Sequence, residues 1–314
     1  MRLPHVPNRL GLGVGLDLPW GAPIGFQRDA VRGDTVSDRV VRFLGAYATS
    51  FAHLFVSWQP KDRNRLRARD YFAAYDDLFA RSPTFSARAL HQTALNLGAL
   101  EDYDRSPVID FTNELAARYG LAWVNEDLGL WSIHGRPLPY PLPPYLTAEG
   151  LRAAVRNTSV TQARLAIPLL VEFPGFSDEV SFVVGGLHAY DFFRLVVEET
   201  GSAATLDTGH LLSYQWLCGK RGAALYDELE RLPTQACFEI HLSGCEIVEG
   251  RFVDYHHGVL MNEQLELLRR LLPLCPNLRA VTYEDPKFEA SGELQPETKP
   301  SFEALAPIVA DWVA

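Results

Sequence analysis

The sequence predicts one α/β fold, a (β/α)8 barrel, spanning residues 1–314 as a single domain. Three observations carry that expectation. Short apolar or β-rich runs recur along the chain, amphipathic stretches separate them, and the length suits eight such units around one core.

The runs, in order, are GLGVGLDL from Gly11, FAHLFVSW from Phe51, FSARALH from Phe85, LAWVNED from Leu121, PLLVEF from Pro168, SAATLD from Ser202, ACFEIHLS from Ala236 and AVTYED from Ala280. Their brevity and β-branched or aromatic content favour strands. The stretches VSDRVVRFLGAYATSF, RDYFAAYDDLFARS, VIDFTNELAARYG, LTAEGLRAAVRNTSVTQARL, AYDFFRLVVEETG and LMNEQLELLRRLLPLC carry helical spacing, and several end at Gly or Pro. Strands alternating with helices imply a parallel sheet, and eight repeats favour closing it into a barrel. The segment HGRPLPYPLPPYLTAEG from His134 is too long for a plain turn and is expected to be an ordered active-site loop or lid. The GLGVG run at residues 11–15 lies inside a predicted strand and lacks the rest of a dinucleotide fingerprint, so close barrel packing is its expected role.

Composition narrows the partners. A hydrophobic fraction of 47% with 22% charged residues is that of an ordinary soluble protein. No apolar run reaches the roughly 20 residues that cross a bilayer, so no membrane partner is expected. The opening residues MRLPHVPNRLGLGVGLDLPWG lack the features of a secretory signal, and a cytoplasmic location is expected. Cys218, Cys237, Cys245 and Cys275 show no paired spacing and are expected to be reduced thiols. The formal charge of −10 disfavours a nucleic-acid partner, whose phosphates demand clustered Lys and Arg.

The chemistry lies at the downstream ends of the runs, where His91, Glu126, Glu172, Asp207, His241 and Glu284 stand. In a (β/α)8 barrel all those ends meet on one face, so these residues become neighbours. LDTGH adds His210, and VDYHH adds Asp254, His256 and His257 from the loop after the seventh run. Imidazoles mixed with carboxylates suit iron, manganese, zinc or cobalt, and cations are the simplest way to keep crowded carboxylates ionised. Cys245, near His241, is expected to be an inert thiol. Trp131, Tyr140, Tyr145 and Trp216 are candidates for a substrate mouth, with packing the competing role.

At these positions the sequence resembles the multinuclear non-heme iron-dependent oxidases that modify ribosomally made peptides. The matching stretches are SARALHQTALNLG around His91, WVNEDLGLWSIHGRPLPYPLPPYLTAEGL around Glu126, LLVEFP, LDTGH, FEIHLSG, VDYHH and VTYED, together spanning about Phe85 to Asp285. The resemblance implies a xylose-isomerase-like TIM barrel, and the same ligand order looks like endonuclease IV and the sugar isomerases and epimerases of that barrel superfamily. By that analogy Glu172 bridges a first metal, held with His91 and Glu126, and a second, held with Asp207, His241 and Glu284; His210, Asp254 and His256 hold a third. An acid at Glu126 favours the oxidases, since endonuclease IV has histidine there. The chain departs from the oxidase pattern at Asp17, Asp127, Phe173, His210 and Cys245, where that family usually has Arg, His, Asn, Asn and His.

The resemblance implies two or three iron ions, with zinc or manganese as alternatives. It also implies dioxygen as co-substrate, a cysteine-containing peptide or small thiol as substrate, and a companion protein that grips the peptide leader. Asp127 and His257 are then expected to assist catalysis, with Asn125 beside them. A zinc phosphoesterase like endonuclease IV and a sugar isomerase or epimerase stay open as alternatives.

Overall fold

The computed structural model describes residues 2–16, 31–32, 35–36, 38–58, 68–176 and 182–314. Asp17 lies outside them. Eight parallel strands form the barrel: β1 (Gly11–Leu16), β2 (His53–Trp58), β3 (Ala87–Gln92), β4 (Trp123–Asp127), β5 (Leu169–Glu172), β6 (Ala203–Asp207), β7 (Cys237–Leu242) and β8 (Ala280–Glu284). Each coincides, to within two residues at either end, with one of the eight apolar runs. Neighbours in sequence are neighbours in space, and β8 pairs with β1 to close the barrel.

A helix follows each strand: α1 (Asp38–Ala46), α2 (Ala68–Arg81), α3 (Ser106–Tyr119), α4 (Ala148–Arg164), α5 (Ala189–Thr200), α6 (Thr208–Leu217), α7 (Asn262–Leu271) and α8 (Lys299–Val313). Their ends follow local chemistry. Thr147 caps α4 by accepting from the Gly150 amide at 3.0 Å, and α3 stops at Gly120, whose φ of 64° suits a residue without Cβ. Among the described residues no helix is long and apolar enough to cross a membrane.

The proline-rich segment differs from the expected loop or lid. Residues Leu130–Ile133 and Arg136–Leu142 pair as an antiparallel hairpin. His134 and Gly135 turn it, with φ of 48° and 72°, the paired positive values of a tight two-residue turn. A second hairpin, Cys245–Val248 with Arg251–Asp254, follows β7 and carries Asp254 back to the barrel mouth.

The interior is layered. Its floor is apolar, built from Phe55, Ala89, Trp123, Leu170, Ala203, Phe238 and Ala280, with Leu3, Val6 and Leu10 packed beneath. One wall has no side chains to give. A Cβ on Gly13 would come within 2.1 Å of the His53 ring, and one on Gly15 within 2.1 Å of the Phe55 ring. The GLGVG run is therefore a packing device. Two strands round from it, the register between β6 and β7 shifts at Ala204/Thr205, and consecutive residues Phe238 and Glu239 both reach the interior, where each meets Trp123.

Gly13→Ala should therefore destabilise the protein by about 1–3 kcal/mol, the usual cost of overpacking a core. Gly45→Ala, on exposed α1 with nothing within 4 Å of the added methyl, should stabilise by about 0.5–1 kcal/mol. Urea denaturation of both variants checks the pair.

Candidate metal centre

Alternation along β4 decides which acid faces the mouth. Trp123 Nε1 and Asn125 Nδ2 both donate inward to Glu239 Oε2, at 2.6 and 2.9 Å, so the next residue on that face is Asp127. Glu126 turns the other way. Its carboxylate accepts the backbone amides of Ala94, Leu95 and Asn96 at 3.3, 3.2 and 3.2 Å, closing the turn after β3 around itself. Burial pushes its pKa up to about 8, while the Leu95 amide pulls it down. The structure thus leaves Glu126 outside the metal-competent groups and puts Asp127 among them, the reverse of the expected order.

Around the mouth, His91 Nε2 lies 3.0 Å from Glu172 Oε2, and His241 Nδ1 lies 3.1 Å from Glu172 Oε1 and 2.8 Å from Glu284 Oε1. Ligand atoms of these four side chains all fall within 4.8 Å of one another. His210, Asp254 and His256 form a second such group, with Asp254 Oδ2 at 3.2 Å from His210 Nε2 and 3.4 Å from His256 Nε2. Glu284 links the two, its Oε2 standing 3.7 Å from His256 Nδ1.

A third group joins Asp127, Glu172 and His210. Here the tautomer discriminates. His210 Nδ1 stands 2.7 Å from the Phe173 carbonyl oxygen, which can only accept, so that nitrogen carries the proton and Nε2 is the one free for an ion. His210 Nε2 faces Asp254, so the group with Asp254 and His256 is the compatible one.

The LDTGH motif acquires a local explanation. β6 runs into α6 without a loop, and Asp207 Oδ1 caps that helix by accepting from the His210 amide at 2.8 Å. The cap throws the His210 ring back over the barrel mouth. Asp207 Oδ2 stays buried with no hydrogen-bond partner, and so does Asp127 Oδ1. Two buried carboxylate oxygens without donors suit a site that takes cations.

Charge repeats the point. Burial alone would depress the imidazoles, yet Glu172 pushes His91 up to about 9, and neighbouring carboxylates raise His210, His241 and His256 well above the usual histidine range. Burial raises Asp127 and Asp207. Five carboxylates, on Asp127, Glu172, Asp207, Asp254 and Glu284, thus share the pocket with the four imidazoles of His91, His210, His241 and His256.

Other expected residues sit elsewhere. His256 takes a left-handed φ of 48°, and the next ring, His257, turns away to accept the Val259 amide at 3.2 Å and pack near Tyr255. Burial pushes His257 below the usual range, and it belongs to none of the groups. Cys245 Sγ donates toward Asp254 Oδ1 at 3.5 Å, and burial raises the thiol, as suits an inert cysteine. Trp216 is a packing residue, covered by Arg221 at 3.4 Å from the ring centroid and donating to the Gly250 carbonyl. Trp131 is half-buried with its indole N–H unpartnered, Tyr145 is half-buried and Tyr140 is exposed. Sequence reasoning passed over Glu239 and His53, both buried inside the barrel below the site. Their signal was a charged or polar residue in the middle of otherwise apolar runs.

Comparison with known proteins agrees with this architecture. A family model described as "RiPP precursor modification enzyme MbnB/TglH/ChrH" matches residues 76–303. A UPF0276 protein of Paraburkholderia phytofirmans is 31% identical over 163 residues, 50% of this chain and 49% of that protein. Another from Chromobacterium violaceum is 29% identical over 189 residues, 59% of this chain and 66% of that protein. The match thus spans about half to two thirds of these relatives. A xylose isomerase-like TIM barrel protein from Mycobacterium smegmatis, solved with magnesium, superposes with a TM-score of 0.51 at 14% identity over 88% of each chain, a likeness of fold. With the family match running from α2 into α8 and so embracing both groups of the mouth, this chain belongs to the MbnB/TglH/ChrH family of RiPP precursor modification enzymes.

Proposed function

We propose that this protein is a multinuclear non-heme iron oxidase or oxygenase that uses dioxygen to modify a cysteine-containing ribosomal peptide or a small thiol. The observation that carries the reading is the convergence of His91, Glu172, His241 and Glu284 beside His210, Asp254 and His256, in a chain of this family. The donor set of imidazoles and carboxylates, with unpartnered oxygens on Asp127 and Asp207, fits iron and admits zinc or manganese. The first four residues would hold one ion and the other three a second. Asp127 and Asp207 border both groups, and a third ion would draw on them.

Iron bound there would supply the redox chemistry, and the remaining tasks fall to the chain. Glu172 and Glu284 orient the imidazoles they touch, and Glu284 couples the two groups. The Phe173 carbonyl holds the His210 tautomer. Glu126 serves as the staple of the turn after β3, and through Asn96, whose Oδ1 accepts the Trp131 and Ser132 amides, it steadies the proline-rich hairpin. A leader-binding companion protein and a cytoplasmic setting belong to the same proposal.

Protein purified and loaded without oxygen should carry at least two equivalents of iron by elemental analysis, and should consume oxygen when given a cysteine-containing precursor peptide. Turnover supported by zinc with no oxygen uptake would overturn the oxidase reading. His91→Ala and His256→Ala should each cost a different equivalent of metal. Glu126→Gln should keep both and instead lower stability by about 1–3 kcal/mol, since an amide nitrogen would face amide donors.

The metal-free protein should also show a pH signature. The carboxylate of Glu172 holds the His91 proton to about pH 9, above the ordinary histidine value near 6.5, so its contribution is complete below pH 6.5 and is lost as pH rises through 9. Thermal denaturation should show metal-free protein weakening over that window, by up to about 3 kcal/mol from this residue. Metal affinity should rise over the same range, because an ion displaces the proton.

A further inference from the structure

Below the mouth, Glu239 is fully buried in the barrel and bonded on every side. Oε2 accepts from Trp123 and Asn125; Oε1 accepts from Thr282 Oγ1, which itself receives His53 Nε2 at 2.8 Å. The same Oε1 stands 3.3 Å from His241 Nε2. The two nitrogens of His241 therefore face different surroundings: Nδ1 looks up at Glu172 and Glu284, and Nε2 looks down at Glu239.

We propose that Glu239 is a positioning residue that keeps the His241 proton on Nε2 and so presents Nδ1 to the ion held with His91, Glu172 and Glu284. The role rests on the metal-centre reading and adds to it a residue that touches no ion. Trp123, Asn125 and Thr282 are neutral donors that an amide oxygen would satisfy in part, whereas a buried carboxylate is strongly disfavoured unless a charge-assisted donor compensates it. The imidazole N–H is that donor. A competing arrangement exists on the same atoms: Asn125 Nδ2 lies 3.1 Å from His241 Nε2, and an amide donating there would move the ring proton to Nδ1 and close the position to an ion. Asn125 Nδ2 gives one of its two hydrogens to Glu239 Oε2 at 2.9 Å, and at His241 Nε2 the charged Glu239 Oε1, 3.3 Å away, competes with the second as a charge-assisted acceptor for the ring proton. Phe55, with its ring centroid 5.3 Å from that of His241 and 5.6 Å from that of His91, holds both imidazoles in place from the side.

The test uses cobalt(II), whose visible absorption reports its ligands, on full-length wild type, Glu239→Gln and Glu239→Asp. In Glu239→Gln, with its fold checked by circular dichroism, affinity for one cobalt should fall roughly 10–100-fold and its absorption bands should shift, as for loss of a partner behind a ligating histidine. Glu239→Asp, which keeps the charge, should recover part of the loss. A folded Glu239→Gln with wild-type affinity and spectrum overturns the proposal. Should the variant not fold, long-range 1H–15N correlation spectra of zinc-loaded wild type decide: a proton on His241 Nε2 supports the role, and one on Nδ1 overturns it. Wild type that takes up neither cobalt nor zinc removes the centre itself, a failure distinct from a variant that binds as wild type does.

Discussion

The rest of the structure answers one electrostatic constraint: Asp127, Glu172, Asp207, Asp254 and Glu284 are gathered, buried or nearly so, into one pocket. Carboxylates in a low-dielectric site repel one another and lose their hydration, so each must find a proton, an imidazole or an ion. Protonated histidines supply part of the compensation, and the unpartnered oxygens of Asp127 and Asp207 mark where it falls short. The barrel makes the arrangement affordable. Eight strands fix the backbone from which these side chains project, and the apolar floor denies water a route from below.

Between floor and mouth lies a polar layer that belongs to neither. Glu239, Asn125, Thr282 and His53 form a hydrogen-bonded network there, and it meets the mouth at His241. The register shift between β6 and β7 makes the layer possible, since a regular strand would send Phe238 and Glu239 to opposite faces. One irregularity thus supplies both a floor residue and the carboxylate above it.

Much of this was legible in the sequence. Buried parallel strands are apolar throughout, so the eight runs stand out, and downstream ends meet by topology alone; hence His91, Glu172, His241 and Glu284 were found together. Expectation and placement part where one residue of phase matters. Glu126 and Asp127 are adjacent acids, and strand parity turns Asp127 to the mouth and Glu126 away from it, which Asn125 could have signalled by being a polar residue that must face inward. His256 and His257 separate because a left-handed residue redirects the chain, and such a residue other than glycine leaves little trace in sequence. The prolines at 137, 139 and 141 suggested irregular structure, although their spacing of two is itself a strand period. Glu239 was overlooked because attention went to strand ends, whereas a charge in mid-strand is the rarer event.

The bare wall of β1 constrains how this chain can vary. Gly13 exists to make room for His53, and His53 steadies Thr282, which in turn holds Glu239 behind His241. A position that can never touch a ligand therefore cannot drift alone. Any larger residue there crowds the His53 ring, and a smaller residue at position 53 that relieved the crowding would unmoor the far end of the chain of bonds. Inheritance at a site with no side chain is thereby tied to chemistry two strands away.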